Sequence, residues 1–387
     1  MKALQSWVLV AGGFHRRGGM DKANIALAEY LIERGAKVHL VAHDVDSSLA
    51  LHPAVHVDHI SRFGSILVSD FRLARAGRAA AREAKAKDPN SRAVVNGGNC
   101  DWPDINWVHA VHHAWPCIDH DAALLFRVKN RLTKRVSRRR EKRALRTARL
   151  VVANSERTRD DVIRFLGVDD RRVRVLYLGA EPFNPPSADE RRKARQEFGC
   201  NADEVVAVFA GALSMDSNKG FDTLFSAWQK LCQRPGWNGR LIVAGSGNGL
   251  PGWKKKAEAT GMSEKILFSG FVNPIERLLA AADILISPVR YEAYGLNVQE
   301  AICRGIPAIV SRSAGVAERY PAELSGYLLP DPEDAEDLAN RLWQWRLRRE
   351  EARCQFEQFG RNLSTYSWRD MAERFVALAE EAAVEGR

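Results

Sequence analysis

Two carboxylates, Glu292 and Glu300, stand with seven residues between them in the stretch DILISPVRYEAYGLNVQEAICRGIPAIVSRSAG, residues 283–315. Carboxylates accept hydrogen bonds from hydroxyl groups, so two of them at a fixed separation can grip a ligand at two points. What lies between them decides which ligand. Tyr294-Gly295-Leu296 closes a loop and opens a predicted helix, whose first amides have no intrahelical partner and carry the positive end of the dipole. That is a natural diphosphate site. At about 1.5 Å of rise per residue, Glu300 lies roughly 6 Å along the axis from Leu296. The arrangement suits a ligand with hydroxyls at both ends and a diphosphate in the middle, and a nucleotide sugar is such a ligand.

The elements that must position these groups are legible around them. Residues 283–289 form a continuous apolar run, as a buried parallel strand does. Residues 290–295 form a loop ending in Gly. Residues 296–304 have helical spacing, and Gly305-Ile306-Pro307 stops the helix before the strand at 308–310.

In that setting the Glu-x7-Glu pattern and the Gly-Ile-Pro that follows resemble the signature of retaining glycosyltransferases of the GT-B fold, with glycosyltransferase family 4 the nearest match. The resemblance implies an α/β protein of two Rossmann-like domains facing across a cleft, with a C-terminal helix crossing back to the first domain. It implies that Glu292 holds donor sugar hydroxyls and Glu300 the ribose hydroxyls. Lys219, in Asn218-Lys219-Gly220-Phe221-Asp222, resembles the family's diphosphate-binding lysine. The family's companion arginine is replaced here by Ala212, and Arg290 or Arg16 is the candidate substitute. Gly18 and Gly19, in the loop after the first strand, resemble a Gly-Gly pair near the phosphates. Backbone groups of Phe271 and Val272 correspond to those that hold the nucleobase. A histidine at the end of a strand faces the donor sugar in the family. His109, His112 and His113 compete for that place, and His112 is the choice here.

The chain has 387 residues, 45% hydrophobic and 27% charged, so a globular protein of two domains is expected. The domains read as 1–182, acceptor-side; 183–364, nucleotide-sugar-binding; and 365–387, the returning helix. No apolar run reaches the length of a membrane span. The N-terminal apolar run passes directly into a Gly-rich turn, so a first strand is expected rather than a signal peptide. Six scattered cysteines without metal spacing point to reduced thiols in a cytoplasm.

The first half alternates strand and helix: a strand over 6–11, a helix over 20–34, a strand over 37–42. His52, His56 and His59 do not read as a metal site, because Val55 and Val57 give that stretch a strand's alternation and no second ligand cluster follows. Residues 104–115 read as one strand, with His109 and His113 on one face and His112 on the other. Residues 127–149 hold twelve Lys/Arg and one acid, Glu141. They read as a helix with Leu132, Val136 and Leu145 facing inward. With a net charge of +10, that segment reads either as a solvated helix face or as one that meets an anionic membrane surface from the cytoplasmic side. Nucleic acid is not expected, because the segment lacks aromatic residues.

These readings converge on a glycosyltransferase moving a sugar from a nucleotide diphosphate sugar to a hydroxyl of a glycan or lipid-linked glycan. No cofactor or metal is expected, since Lys219 and a helix N-terminus would neutralise the departing diphosphate. The other readings are a nucleotide-sugar epimerase of the same fold and a non-catalytic basic protein that binds membrane or nucleic acid.

Overall fold

The computed structural model describes residues 6–115 and 124–385. Cys117 and the side chains of residues 124–130 lie outside what is described. The chain divides into two compact units, one of residues 1–114, 124–179 and 366–387, the other of residues 115–123 and 180–365. The first boundary thus falls after Gly179, three residues before the expected one.

The first unit is built on a seven-stranded sheet of short apolar segments: β1 (Ser6–Val10), β2 (Lys37–Ala42), β3 (Val55–His59), β4 (Arg92–Asn96), β5 (Ile105–Val108), β6 (Leu150–Ala153) and β7 (Val173–Val175). All are parallel, in the order β3-β2-β1-β4-β5-β6-β7. Central strands such as β1 and β5 are buried almost end to end, as strands covered by helices on both faces must be. α1 (Gly19–Glu33) and α2 (Ile66–Lys87) connect the early strands, and α3 (Leu124–Thr147) precedes β6. A last helix, α4 (Trp368–Glu385), belongs to this unit and packs on α1. Its Phe375 meets Trp107 at 4.6 Å between ring centroids, and Arg149 donates to the Ala382 carbonyl at 2.6 Å.

The second unit has a six-stranded parallel sheet: β8 (Val205–Ala210), β9 (Gly239–Ala244), β10 (Ile266–Gly270), β11 (Ile284–Ser287), β12 (Ala308–Ser311) and β13 (Leu328–Leu329), in the order β10-β9-β8-β11-β12-β13. α5 (Phe221–Cys232) follows β8, and α6 (Leu296–Cys303) follows β11. Phe225 and Trp228 of α5 are fully buried on the sheet beside Phe209.

Both sheets therefore reverse direction once, between β1 and β4 in the first unit and between β8 and β11 in the second. In open parallel sheets, ligands bind beyond the C-terminal ends of the two strands that flank such a reversal.

Two expected elements are corrected. The strand expected over 104–115 ends at Val108, and the rest is a turn with Val111 buried. The alternating-face argument for the three histidines falls with it. In α3, Leu145 is buried as expected, but Leu132 is 60% exposed and Val136 41% exposed, so neither belongs to an inward stripe.

Candidate functional site

The reversal in the second unit brings together the loop after β8 and the loop after β11, and these carry Lys219 and Glu292. Lys219 Nζ donates to Glu292 Oε2 in a half-buried ion pair. Asn218 sets this pairing. Its buried side chain donates to the Tyr291 carbonyl at 3.0 Å and accepts from the Tyr291 amide at 3.1 Å, while its own carbonyl accepts from the Arg290 amide at 2.8 Å. The two loops are thereby stapled backbone to backbone. Gly220 follows at φ 68°, where a Cβ would run into the Pro288 carbonyl, so only glycine lets the loops come this close.

Glu292 is fixed a second time by a one-residue parallel bridge to Ala314, the Gly315 amide donating to its carbonyl at 3.1 Å. Gly295, at φ 106°, turns the chain into α6 with Leu296 as the first helical residue. Asn297, in that first turn, donates to the Ala210 carbonyl at the end of β8 at 2.9 Å. The open amides of the first turn thus stand over the same strand ends as Lys219 and Glu292. Glu300 sits half-buried one turn further along. The result is one cation, one carboxylate and a helix N-terminus at a switch point, with a second carboxylate beyond.

The remaining candidates divide. Arg290 does not fill the place of the missing arginine. It clasps Asp222 through both terminal nitrogens, at 2.8 and 2.7 Å, and Glu333 through Nε at 2.9 Å. Arg16 is likewise held, by Glu29 at 2.7 Å. The Tyr294 side chain is buried and bonded to Gln299, which leaves only its backbone to face a ligand. Phe271 and Val272 follow β10, the Phe271 ring 69% exposed.

In the first unit, Gly18 caps α1 and Gly19 begins it, beside the other switch point. His15 lies 3.6 Å from both Asp21 and Asp44, and Arg17 binds Asp44 at 2.5 Å. His112 and His113 are not open to a sugar through Nδ1, because both rings bind Glu141 of α3, at 2.9 and 2.8 Å. Glu141 also accepts from both backbone amides. Burial pushes its carboxyl up, but these donors more than offset that and hold it below the usual range. His109 is the histidine at the end of β5. Its ring lies 4.8 Å from that of Trp107, and both ring nitrogens are buried without a partner among the described residues. Burial pulls its pKa down to about 3, so it is neutral at pH 7. Alternation assumed a strand through residue 115; the strand ends at Val108, and His109 is the histidine that directly follows it.

The chain contains Asp-x-Asp spacing at 44–46 and 119–121. The first is engaged by Arg17 at Asp44 and by the Ser48 amide at Asp46, and the second lies outside the described residues. Cys100 and Cys303 are buried with thiols pushed up by burial, Cys100 to about 12.

The chain is similar to glycosyltransferases along most of its length. Residues 190–363 match the model of glycosyl transferases group 1, and residues 17–182 match that of glycosyltransferase family 4. An uncharacterized glycosyltransferase of Methanocaldococcus jannaschii is 29% identical over 181 residues, 46% of this chain and 45% of that protein. The D-inositol 3-phosphate glycosyltransferase of Geodermatophilus obscurus is 27% identical, covering 95% of this chain and 86% of that one. The chain spans about half the length of several other curated relatives it matches. Among solved structures, Anabaena HepE in complex with UDP and glucose superposes with a TM-score of 0.70 at 18% identity, covering 97% of this chain and 98% of that one.

Proposed function

The chain belongs to the glycosyltransferases of GT-B fold, and from that premise we propose that it moves a sugar from a nucleotide diphosphate sugar to a hydroxyl of a glycan or lipid-linked glycan. The observation that carries this is the Lys219–Glu292 pair at the switch point beside the first turn of α6. In the resting protein each group satisfies the other. A bound donor separates their tasks: Lys219 and the α6 amides take the diphosphate, and Glu292 accepts from sugar hydroxyls. Glu300 takes the ribose. As the glycosidic bond breaks, negative charge grows on the diphosphate, and a preorganised ammonium with aligned amides stabilises that charge more than the ground state. This is charge neutralisation by the chain's own residues, and no metal or organic cofactor is called for. Transfer with retention follows from the Glu-x7-Glu likeness, the departing phosphate taking the acceptor proton. The configuration of the product's new anomeric centre, read by NMR, tests it. His109, uncharged at the end of β5, replaces His112 as the histidine proposed to contact the sugar.

The acceptor side carries a second, separate proposal. No helix of the described residues is long and apolar enough to cross a membrane. On α3, Arg131, Arg135 and Arg139 recur every fourth residue on the exposed face, beside exposed Leu132 and Val136. Arg138, Arg140 and Arg143 are instead spent on the fold, on the His112 carbonyl, the Asp70 carbonyl and the Asp101 carboxylate. A basic stripe with apolar residues beside it fits an anionic lipid surface, which is where a lipid-linked acceptor would be met.

The direct test of the enzyme reading is a thermal-shift screen of nucleotide diphosphate sugars, with UDP-glucose among them. A rise in melting temperature with at least one sugar donor, followed by transfer to a hydroxyl acceptor, is expected. No shift with any donor would sink the reading, and interconversion of nucleotide sugars without transfer would favour the epimerase.

A further inference from the structure

His39, His56 and Asp58 come from two strands that the register of the first sheet locks side by side. β2 and β3 are paired in parallel, with His39 opposite His56 and Val41 opposite Asp58. Two residues on from His56, Asp58 points to the same face of β3 as that histidine. His39 Nε2 lies 3.0 Å from Asp58 Oδ2, and His56 Nε2 lies 3.5 Å from Asp58 Oδ1. The three ligating atoms all fall within 4.8 Å of one another. Around a tetrahedral zinc with bonds of about 2.0–2.1 Å, neighbouring ligand atoms are roughly 3.3 Å apart. The two His–Asp distances, one to each carboxylate oxygen of Asp58, lie on either side of that value. The His56 ring, exposed and edge-on to that of His39 at 4.5 Å between centroids, needs only a turn about its side-chain bonds to close the third.

We propose that His39, His56 and Asp58 bind a divalent transition-metal ion of borderline softness, with zinc as the occupant. Two imidazoles and one carboxylate are a donor set such ions favour, and magnesium or calcium, which prefer oxygen, do not. Three protein ligands leave coordination positions open to water. His39 is on the N-terminal half of β2, not at the C-terminal strand ends of its own sheet, beside which Gly18 and Gly19 lie. The ion therefore acts on structure. It ties β3, the edge strand of the sheet among the described residues, to its neighbour β2 and so protects an edge that would otherwise fray or pair with another chain. Linear spacing hid this site. His52 and His59, its apparent partners in sequence, are not in the cluster, and the ligand that completes it lies 17 residues before His56 on another strand.

The test is titration of EDTA-stripped full-length protein with zinc alone, followed by calorimetry and by melting temperature, with cobalt(II) as a spectroscopic substitute. One ion per chain, a melting temperature that rises with zinc, and a cobalt spectrum without a thiolate charge-transfer band are expected. His56→Ala, at a side chain 71% exposed, folds normally, weakens zinc at least about tenfold and abolishes the rise. Asp58→Asn weakens it too, and binding of nucleoside diphosphate is the same in all three proteins. Absence of zinc binding, a thiolate band, or equal zinc affinity in wild type and both variants overturns the proposal.

Discussion

At the scale of single residues, what holds each side chain separates the candidates: Lys219 meets Glu292, Arg290 meets Asp222 and Glu333, and His112 and His113 meet Glu141. Glu292, Glu300 and Lys219 announce themselves because carboxylates and a lysine beside a glycine turn have few local uses. Arg290 looked just as available, and only its clasp on Asp222 and Glu333, distant in sequence, shows that it is spent. His109, His112 and His113 differ in what holds them, and the holder of two, Glu141, lies 28 or 29 residues away. A pH prediction follows for His109. In the unfolded chain it titrates near 6.5, whereas burial holds it neutral to about pH 3 in the folded protein. Below pH 6.5 the unfolded state binds the extra proton, so stability falls as pH drops from 6.5 toward 3, by up to about 1.4 kcal/mol per pH unit. Denaturant unfolding of wild type and His109→Phe at pH 7 and pH 5 measures it. The wild type should lose more between the two pH values, and equal losses would show that His109 is not buried neutral.

At the scale of elements, the strands and helices that flank the site were readable to within a residue or two, because buried parallel strands are apolar runs and their stops are glycines and prolines. What was not readable is how two loops are held together. Asn218 has no pattern; its role exists only because β8 and β11 are neighbours across the reversal. Asn218→Ala removes the two hydrogen bonds that its buried side chain makes to the Tyr291 backbone. It should cost about 1–3 kcal/mol of stability. It should also weaken nucleoside diphosphate binding, although Asn218 itself is not proposed to touch the ligand. Undiminished binding would mean that the staple does not set the Lys219–Glu292 geometry. The exposed half of α3 teaches a similar lesson. A helix with apolar residues at the right spacing is expected to bury them, yet Leu132 and Val136 face outward while Glu141 and Leu145, further along, are buried.

At the scale of the whole molecule, the chain makes two parallel-sheet units of the same winding and returns to the first with α4. The alternation of strands and helices forecast that much, whereas the exact handover after Gly179 depends on contacts that sequence does not display. Two whole-protein behaviours follow. Full-length protein should bind anionic vesicles and be released as salt screens the attraction over about 8 Å. Arg131, Arg135 and Arg139 changed together to Gln should weaken that binding while activity on a soluble acceptor persists; salt-independent binding would count against a headgroup contact. Transferase activity should survive EDTA, even where the zinc site is emptied. Complete loss restored by magnesium would place a metal at the diphosphate. The most direct test of the central claim is calorimetry of the free nucleoside diphosphate and of the sugar donor against wild type, Glu292→Ala and Glu300→Ala. Glu300→Ala should weaken both ligands, because both contain ribose, each lost charge-assisted hydrogen bond costing about 1.5–3 kcal/mol, or ten- to a hundredfold. Glu292→Ala should weaken the sugar donor while the free diphosphate binds nearly as well as to wild type. Equal loss of the diphosphate in both variants, or no loss of donor in either, would contradict the orientation and the donor site proposed for this chain.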